Sequence, residues 1–347
     1  MRSILITLPS GIGDAVQSLV GLRIIEAFYP NSTIIVLVEP NIQGFLSRHF
    51  SKNITFLSNR LLSFFENQQE FDALIDFNGL PWLHAKLASH QYNKIITHTC
   101  FIDSAIKEGA DCIYVDNSPI INTPFFEAKG HEPKMAWTLY AKMASLLLAN
   151  DLSLLPVDAQ PRLSFKKLRH QKSNLKKRSN VALFLGGSSK DKHWPVSKYL
   201  GLIKLLKRAN LNIRLFVGKQ ELPYLKHFRH QGIKVIFNKP IDKLFKFNRD
   251  LDFAITNDTG LMHISGAVGI GVLGIFLETT PQCWFSYTEY HQGFIKNPKY
   301  HSKRRHQSSP SILDVYRYFV FLIKQQGHSY DTRKHFRMLG HNLSIRY

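Results

Sequence analysis

The sequence predicts an α/β protein built from two doubly wound parallel sheets that face each other. Three observations carry that prediction. Apolar runs of strand length alternate with stretches whose apolar residues recur at helical spacing. The alternation occurs twice, once in each half of the chain. The two series are separated by a stretch that holds Pro156, Pro161 and a dense basic run, which reads as a connection. At 347 residues the chain has the length for two domains of ordinary size, each with its own core.

In the first series the strands are Ile4-Leu5-Ile6, Thr33 to Val38, Ala73 to Asp76 and Lys94 to Ile96. Gly13 to Phe28 joins the first two with apolar residues on a helical period, and Lys134 to Leu148 reads as a further helix. The second series runs through strand Val181–Leu185, helix Ser197–Arg208, strand Ile213–Val217, helix Leu222–His230, strand Lys234–Phe237 and helix Ile241–Phe247. Strand Phe253–Thr256, a helix over Ile264–Val268 capped by Asn257 or Asp258, strand Val272–Phe276 and helix Ile312–Lys324 complete it. The expected domains are 1–150, a basic linker 151–180, 181–325, and a tail 326–347 that no pattern places. Ligands of such sheets bind beyond the carboxyl ends of the strands, so the cleft between the domains is the expected site.

Composition narrows the class. Hydrophobic residues make up 44% of the chain, which suits a packed globular protein. No apolar run spans a bilayer, and the opening Met1 to Leu8 is broken by Pro9 and Gly11, so it reads as a strand and not a signal peptide. Cys100, Cys112 and Cys283 have no metal or redox spacing, which suits a reducing compartment, the cytoplasm. The formal charge of +20 favours anionic partners. Its densest run, Lys166 to Arg178, lacks interleaved aromatics, so nucleic acid is not expected; a solvated linker and a contact with lipid headgroups both fit.

Four motifs carry chemistry. Thr256-Asn257-Asp258-Thr259-Gly260-Leu261-Met262-His263 joins a buried strand to a helix, where first-turn amides offer an anion site and His263 adds a donor. Gly186-Gly187-Ser188-Ser189-Lys190-Asp191-Lys192-His193-Trp194-Pro195 supplies small residues for close backbone approach, two hydroxyls and the charge of Lys192, without P-loop spacing. Gly218-Lys219-Gln220-Glu221 ends a strand with a carboxylate suited to a ribose diol. Pro9-Ser10-Gly11-Ile12-Gly13-Asp14 resembles the start of a dinucleotide fingerprint but lacks its third glycine; Glu39 is placed like a ribose-binding acid. In that turn Asp14 is either a helix cap or a general base for a sugar hydroxyl. Asp250-Leu251-Asp252 has a metal-binding spacing but leads straight into a strand and reads as structural; His291, His301 and His306 have no ligand spacing.

In this order the motifs S-G-I-G-D, G-G-S-S-K-D-K-H-W-P, G-K-Q-E and T-N-D-T-G-L-M-H resemble those of the glycosyltransferase family 9 heptosyltransferases of lipopolysaccharide core assembly. The resemblance implies a GT-B fold, two facing Rossmann-like domains around a central cleft. It implies an ADP-heptose donor in the C-terminal domain, a lipid-linked sugar acceptor on the N-terminal domain, inversion, and no metal or other cofactor. It implies that Asp14 is the catalytic base on an acceptor-side loop with Ser10, Gly11 and Gly13. Ser188, Ser189, Lys192, Asp258, Thr259, Gly260 and His263 would hold pyrophosphate and heptose, and Glu221 the ribose. The family's G-P-T-D-P-like turn departs here to Leu277-Glu278-Thr279-Thr280-Pro281, which sets a negative charge near the donor. The implied enzyme works at the anionic cytoplasmic face of the inner membrane. A nicotinamide-dependent enzyme and a non-catalytic basic anion-binding protein are the competing classes.

Overall fold

The computed structural model describes residues 1–61, 69–79, 81–88, 90–98, 110–115, 136–148, 179–241, 243–244, 251–279, 281–285, 292–296 and 309–324. The described residues fall into two compact units, one drawn from 1–121 and 134–164, the other from 165–347. The basic run Lys166 to Arg178, Cys100, Asp250, the three histidines 291, 301 and 306, and the tail lie outside the described residues.

The first unit holds β1 (Ser3–Thr7), α1 (Ile12–Phe28), β2 (Thr33–Val38), α2 (Pro40–Leu46), β3 (Ile54–Ser58), β4 (Glu70–Asp76), α3 (Pro81–Leu87), β5 (Gln91–Thr97), β6 (Asp111–Tyr114) and α4 (Ala136–Leu147). Its six strands are ordered β3-β2-β1-β4-β5-β6, and every pairing is parallel. Strand order therefore reverses direction between β1 and β4, whose register brings Thr7 beside Asp76. Parallel strands are covered on both faces, which is why β1 and the end of β4 read as unbroken apolar runs. Helix α1 packs on α4, and Gly21 makes the approach possible. A Cβ there would lie 2.6 Å from the Phe77 ring and 2.7 Å from the Tyr140 carbonyl oxygen.

The second unit holds β7 (Asn180–Phe184), a 3₁₀ turn (Lys190–Lys192), α5 (Val196–Arg208), β8 (Asn212–Val217), a 3₁₀ stretch (Leu222–His227) and β9 (Lys234–Phe237). It continues with β10 (Phe253–Asn257), α6 (Gly260–Ala267), β11 (Gly271–Phe276), α7 (Pro281–Trp284), β12 (Gln292–Lys296) and α8 (Ile312–Lys324). The sheet order is β12-β11-β10-β7-β8-β9, again all parallel, and the reversal lies between β7 and β10. Trp194 and Tyr199 meet edge to face at 4.9 Å in the core, and Phe253 meets Phe319 of α8 in the same way at 5.4 Å. Lys198 ties α8 down through its ammonium, which donates to the Ser309 and Pro310 carbonyl oxygens at 2.9 and 3.0 Å.

Two sequence expectations change. The segment after Glu221 is 3₁₀ and not α-helix; Pro223 stands in its first turn, where it removes an amide donor. The helix of the Thr256–His263 motif begins at Gly260, not Ile264. Its N-cap is Thr259, with no side-chain cap hydrogen bond. Asn257 cannot cap it, because its amide is used inside the core. Its Oδ1 accepts from the Trp194 N–H and the Tyr199 hydroxyl, each at 3.1 Å, and its Nδ2 donates to the Leu185 oxygen at 2.7 Å.

Candidate functional site

The reversal of strand order opens a crevice at the carboxyl edge of each sheet, because the loops from the two flanking strands depart in opposite directions. In the second unit those loops are the Gly186–Pro195 stretch after β7 and the Asp258–Thr259 step after β10. They carry Lys192 and Asp258 into contact: Nζ and Oδ2 are 2.8 Å apart. Thr279, beyond β11, donates to the same oxygen at 2.5 Å. Asp258 is 5% exposed, while the Lys192 side chain keeps 22% of its surface, so the ammonium bridges a buried carboxylate and solvent. His263 lies one turn into α6 at 4% exposure. Burial pushes its pKa down to about 4; the Asp258 charge opposes that shift and the Lys192 charge adds to it. The imidazole is therefore neutral at pH 7, with one donor and one acceptor.

Glu221 is buried at the carboxyl end of β8. Its Oε2 accepts the Gly218 N–H at 2.8 Å. A Cβ on Gly186 would lie 3.0 Å from Oε1, and one on Gly218 would lie 2.8 Å from Oε2, so the carboxylate occupies a slot that only glycines leave open. Ser188 and Ser189 are exposed on the loop, and the Ser189 carbonyl accepts the Lys192 N–H at 3.2 Å. Thr259 and Gly260 open α6 beside Asp258. An ammonium, two hydroxyls and the first amides of a helix thus share one strand edge. Such a set can hold an anion.

In the first unit, Ser10 and Gly11 form the turn after β1, with Gly11 the N-cap of α1, and Gly13 and Asp14 stand in the helix's first turn. A Cβ on Gly11 would lie 2.6 Å from Asp14 Oδ2, so the carboxylate folds back over the turn. Gly11 is the cap residue and Asp14 the third residue of the helix, a position from which a carboxylate folded back over the cap can also serve the first amides. Tyr140 lies within electrostatic reach: burial first, and the Asp14 charge second, push its hydroxyl pKa up. What holds this loop is not visible in the sequence. Asp76, fully buried at the end of β4, accepts from the Thr7 hydroxyl at 2.6 Å, the Thr97 hydroxyl at 3.1 Å and the Gly79 N–H at 3.0 Å. Asn78 Nδ2 donates to the Leu8 oxygen at 2.8 Å. Glu39, the acid proposed for a dinucleotide ribose, is engaged by Asn59 Nδ2 and the Arg60 guanidinium, both at 3.1 Å.

Asp252 of the D-x-D step accepts the Asn180 N–H at 2.8 Å, a link across the sheet. Among the described residues no group of His, Cys, Asp and Glu could hold a metal ion, and no helix is long and apolar enough to cross a membrane. Nothing in the sequence singles out Thr279, because the variant turn departs from the family's pattern at Leu277 and Glu278.

Comparison with known proteins gives this architecture a context. The family model described as glycosyltransferase family 9 (heptosyltransferase) matches residues 133–312. A lipopolysaccharide heptosyltransferase 1 from Campylobacter coli is 22% identical over 297 residues, 78% of this chain and 82% of the relative. The structure of E. coli heptosyltransferase WaaC with ADP is similar with a TM-score of 0.71 at 17% identity, covering 92% of this chain and all of that one. E. coli ADP-heptose lipopolysaccharide heptosyltransferase II gives 0.67 at 15% identity, with 94% and 100% coverage. At these identities the likeness concerns the fold, which is GT-B.

Proposed function

The chain belongs to glycosyltransferase family 9 and is a glycosyltransferase, and from that premise we propose that it moves heptose from ADP-heptose to the inner core of lipopolysaccharide, a Kdo-lipid A or heptosyl acceptor, with inversion and without a metal. The observation that carries the reading is the set at the second unit's strand reversal: Lys192 on Asp258, the start of α6, and Glu221 in its glycine slot. Glu221 suits the ribose diol. Lys192, Ser188, Ser189 and the amides at Thr259 and Gly260 suit the diphosphate, and His263 a sugar hydroxyl. Asp14 removes the proton from the acceptor hydroxyl as its oxygen attacks the anomeric carbon from the face opposite ADP. Negative charge then grows on the departing diphosphate, where Lys192 and the dipole of α6 stabilise it, a task that a divalent cation performs in other transferases.

The names of the relatives support the donor: one similar structure, E. coli heptosyltransferase WaaC, was determined with ADP-2-deoxy-2-fluoro heptose. The lipid-linked acceptor fits the charge. Between Gly201 and Pro240 nine side chains are Lys or Arg, and the sole acid is Glu221. We therefore place the enzyme at the anionic cytoplasmic face of the inner membrane, held by electrostatics. Transfer from a panel of nucleotide sugars, with the anomeric configuration of the product read by NMR and the assay repeated with chelator, tests donor, inversion and metal independence together. A UDP-hexose used in preference to ADP-heptose overturns the donor. Binding to anionic vesicles that survives high salt overturns the electrostatic account.

A further inference from the structure

Trp82 is out of place for a structural residue. It is 44% exposed, whereas Trp194, which packs the second unit, is 1% exposed. It stands in the first turn of α3, just beyond the carboxyl end of β4. That is one of the two strands flanking the reversal in the first sheet; the other is β1, whose loop carries Asp14. The two loops are joined. The Phe77 N–H donates to the Thr7 oxygen at 3.1 Å, the Asn78 N–H to the Thr7 hydroxyl at 3.2 Å, and Asn78 Nδ2 to the Leu8 oxygen at 2.8 Å. Buried Asp76 holds both sides through Thr7 and Gly79. Lys86, one turn along α3, sets its ammonium 5.8 Å from the Trp82 ring centroid.

We propose that Trp82 is the stacking platform for the acceptor sugar and that Lys86 beside it selects an anionic pyranose. The proposal rests on the reading that the first unit takes the acceptor and deepens it by naming the surface. An indole offers a flat, electron-rich face to the C–H face of a pyranose ring, and covering it removes apolar surface from water. The Lys86 ammonium, 5.8 Å from the ring centroid, adds positive charge beside a sugar stacked on the indole, an electrostatic partner for a carboxylate or phosphate on that sugar. The crevice beyond a strand reversal is where such folds bind ligands. Because the Trp82 and Asp14 loops are hydrogen-bonded together, a sugar stacked on Trp82 is held in fixed relation to the β1 loop.

The test uses the full-length protein with Trp82→Ala, Trp82→Phe and Lys86→Gln. The acceptor probes are deacylated Kdo-lipid A and the same molecule with its carboxyl reduced. Trp82→Ala raises the acceptor KM by about tenfold, the equivalent of ~1.4 kcal/mol, while ADP affinity is unchanged. Trp82→Phe retains most of the affinity. Lys86→Gln raises KM for the carboxylate acceptor and leaves the reduced one unaffected. An unchanged acceptor KM in Trp82→Ala overturns the platform, and equal effects of Lys86→Gln on both probes overturn the charge selection. Titration of either probe, followed by the intrinsic fluorescence lost in Trp82→Phe, reads binding without turnover. Binding without transfer keeps the platform and rejects the transferase reading; no fluorescence response to either probe rejects the platform.

Discussion

Replacing Lys192 with Met removes the ammonium and keeps the aliphatic stem, and two effects follow from the contacts of that side chain. Asp258 loses its cation and keeps the Thr279 hydroxyl. Removing one partner of a buried pair costs about 3–5 kcal/mol. Here the lysine keeps 22% exposure, so the expected cost is lower, about 1–3 kcal/mol. For a unit of this size that lowers its melting temperature by about 2–10 °C. The second effect is on ADP. A lost charge-assisted contact to the diphosphate is worth about 1.5–3 kcal/mol, so affinity falls by about tenfold to a hundredfold. The bare Asp258 carboxylate then adds repulsion. Pairing Lys192→Met with Asp258→Asn separates the two effects: stability recovers toward wild type because the unpaired charge is gone, while ADP binding stays weak. Calorimetry and thermal denaturation on the single and double variants read both quantities. Wild-type ADP affinity in a folded Lys192→Met protein refutes the donor assignment. A double variant no more stable than the single one refutes the ion-pair account.

Asp14→Asn keeps the size of the side chain but cannot accept a proton at neutral pH; kcat should fall by about 10²–10⁴ with ADP affinity near wild type, and a folded variant within a few-fold of wild-type turnover would exclude the base role. His263, with a folded pKa of about 4, lies below the ~6.5 of an unfolded histidine. As pH falls the unfolded chain takes the proton first, so stability declines from about pH 6.5 to about pH 4, by on the order of 3 kcal/mol from this residue. His263→Gln should flatten the melting temperature over that window, and an unaltered pH profile would refute the burial of a neutral ring. Gly21→Ala places a methyl against the Phe77 ring and the Tyr140 oxygen; we expect destabilisation of about 1–3 kcal/mol by urea unfolding, and a neutral result would mean that α1 and α4 pack more loosely.

The inner strands are legible because a parallel sheet buries both faces: Thr33–Val38 has the bounds its apolar run gives it. Lys234–Phe237 is an outer strand with a single buried residue, Ile236, and is legible only through its short Val-Ile-Phe run. Strands β3, β6 and β12 were missed for the converse reason. They are outer strands too; β3 alternates, and β6 is exposed at both ends and half-buried between, so no unbroken apolar run marks them. The short helices α2 and α3, seven residues each, are too brief for a period to declare itself. For the site, motif spacing located Lys192, Asp258, Gly260 and Glu221 without revealing which of them touch. The Lys192–Asp258 contact joins residues 66 apart in sequence. Asp76 reads as the last residue of a strand, because nothing in one sequence distinguishes a carboxylate at a strand end from one that binds four neighbours. Asn257 was expected to cap a helix. Its amide serves the interior, since a buried amide must find partners wherever donors and acceptors converge.

That buried amide has a consequence for how the Gly186–Pro195 loop fluctuates. The Trp194 N–H ends on Asn257, inside the core of the second unit. Its exchange with deuterated solvent therefore requires opening of that core and should approach the slowest amides of the unit. Ser188 and Ser189, six and five residues earlier, are exposed on the same loop, and their amides should exchange quickly. One end of the loop is thus fixed before any ligand arrives, and only the serine end has freedom to lose. At roughly 1–2 kcal/mol for each residue ordered, confining that freedom to a few positions keeps the entropic penalty of closing on a diphosphate small.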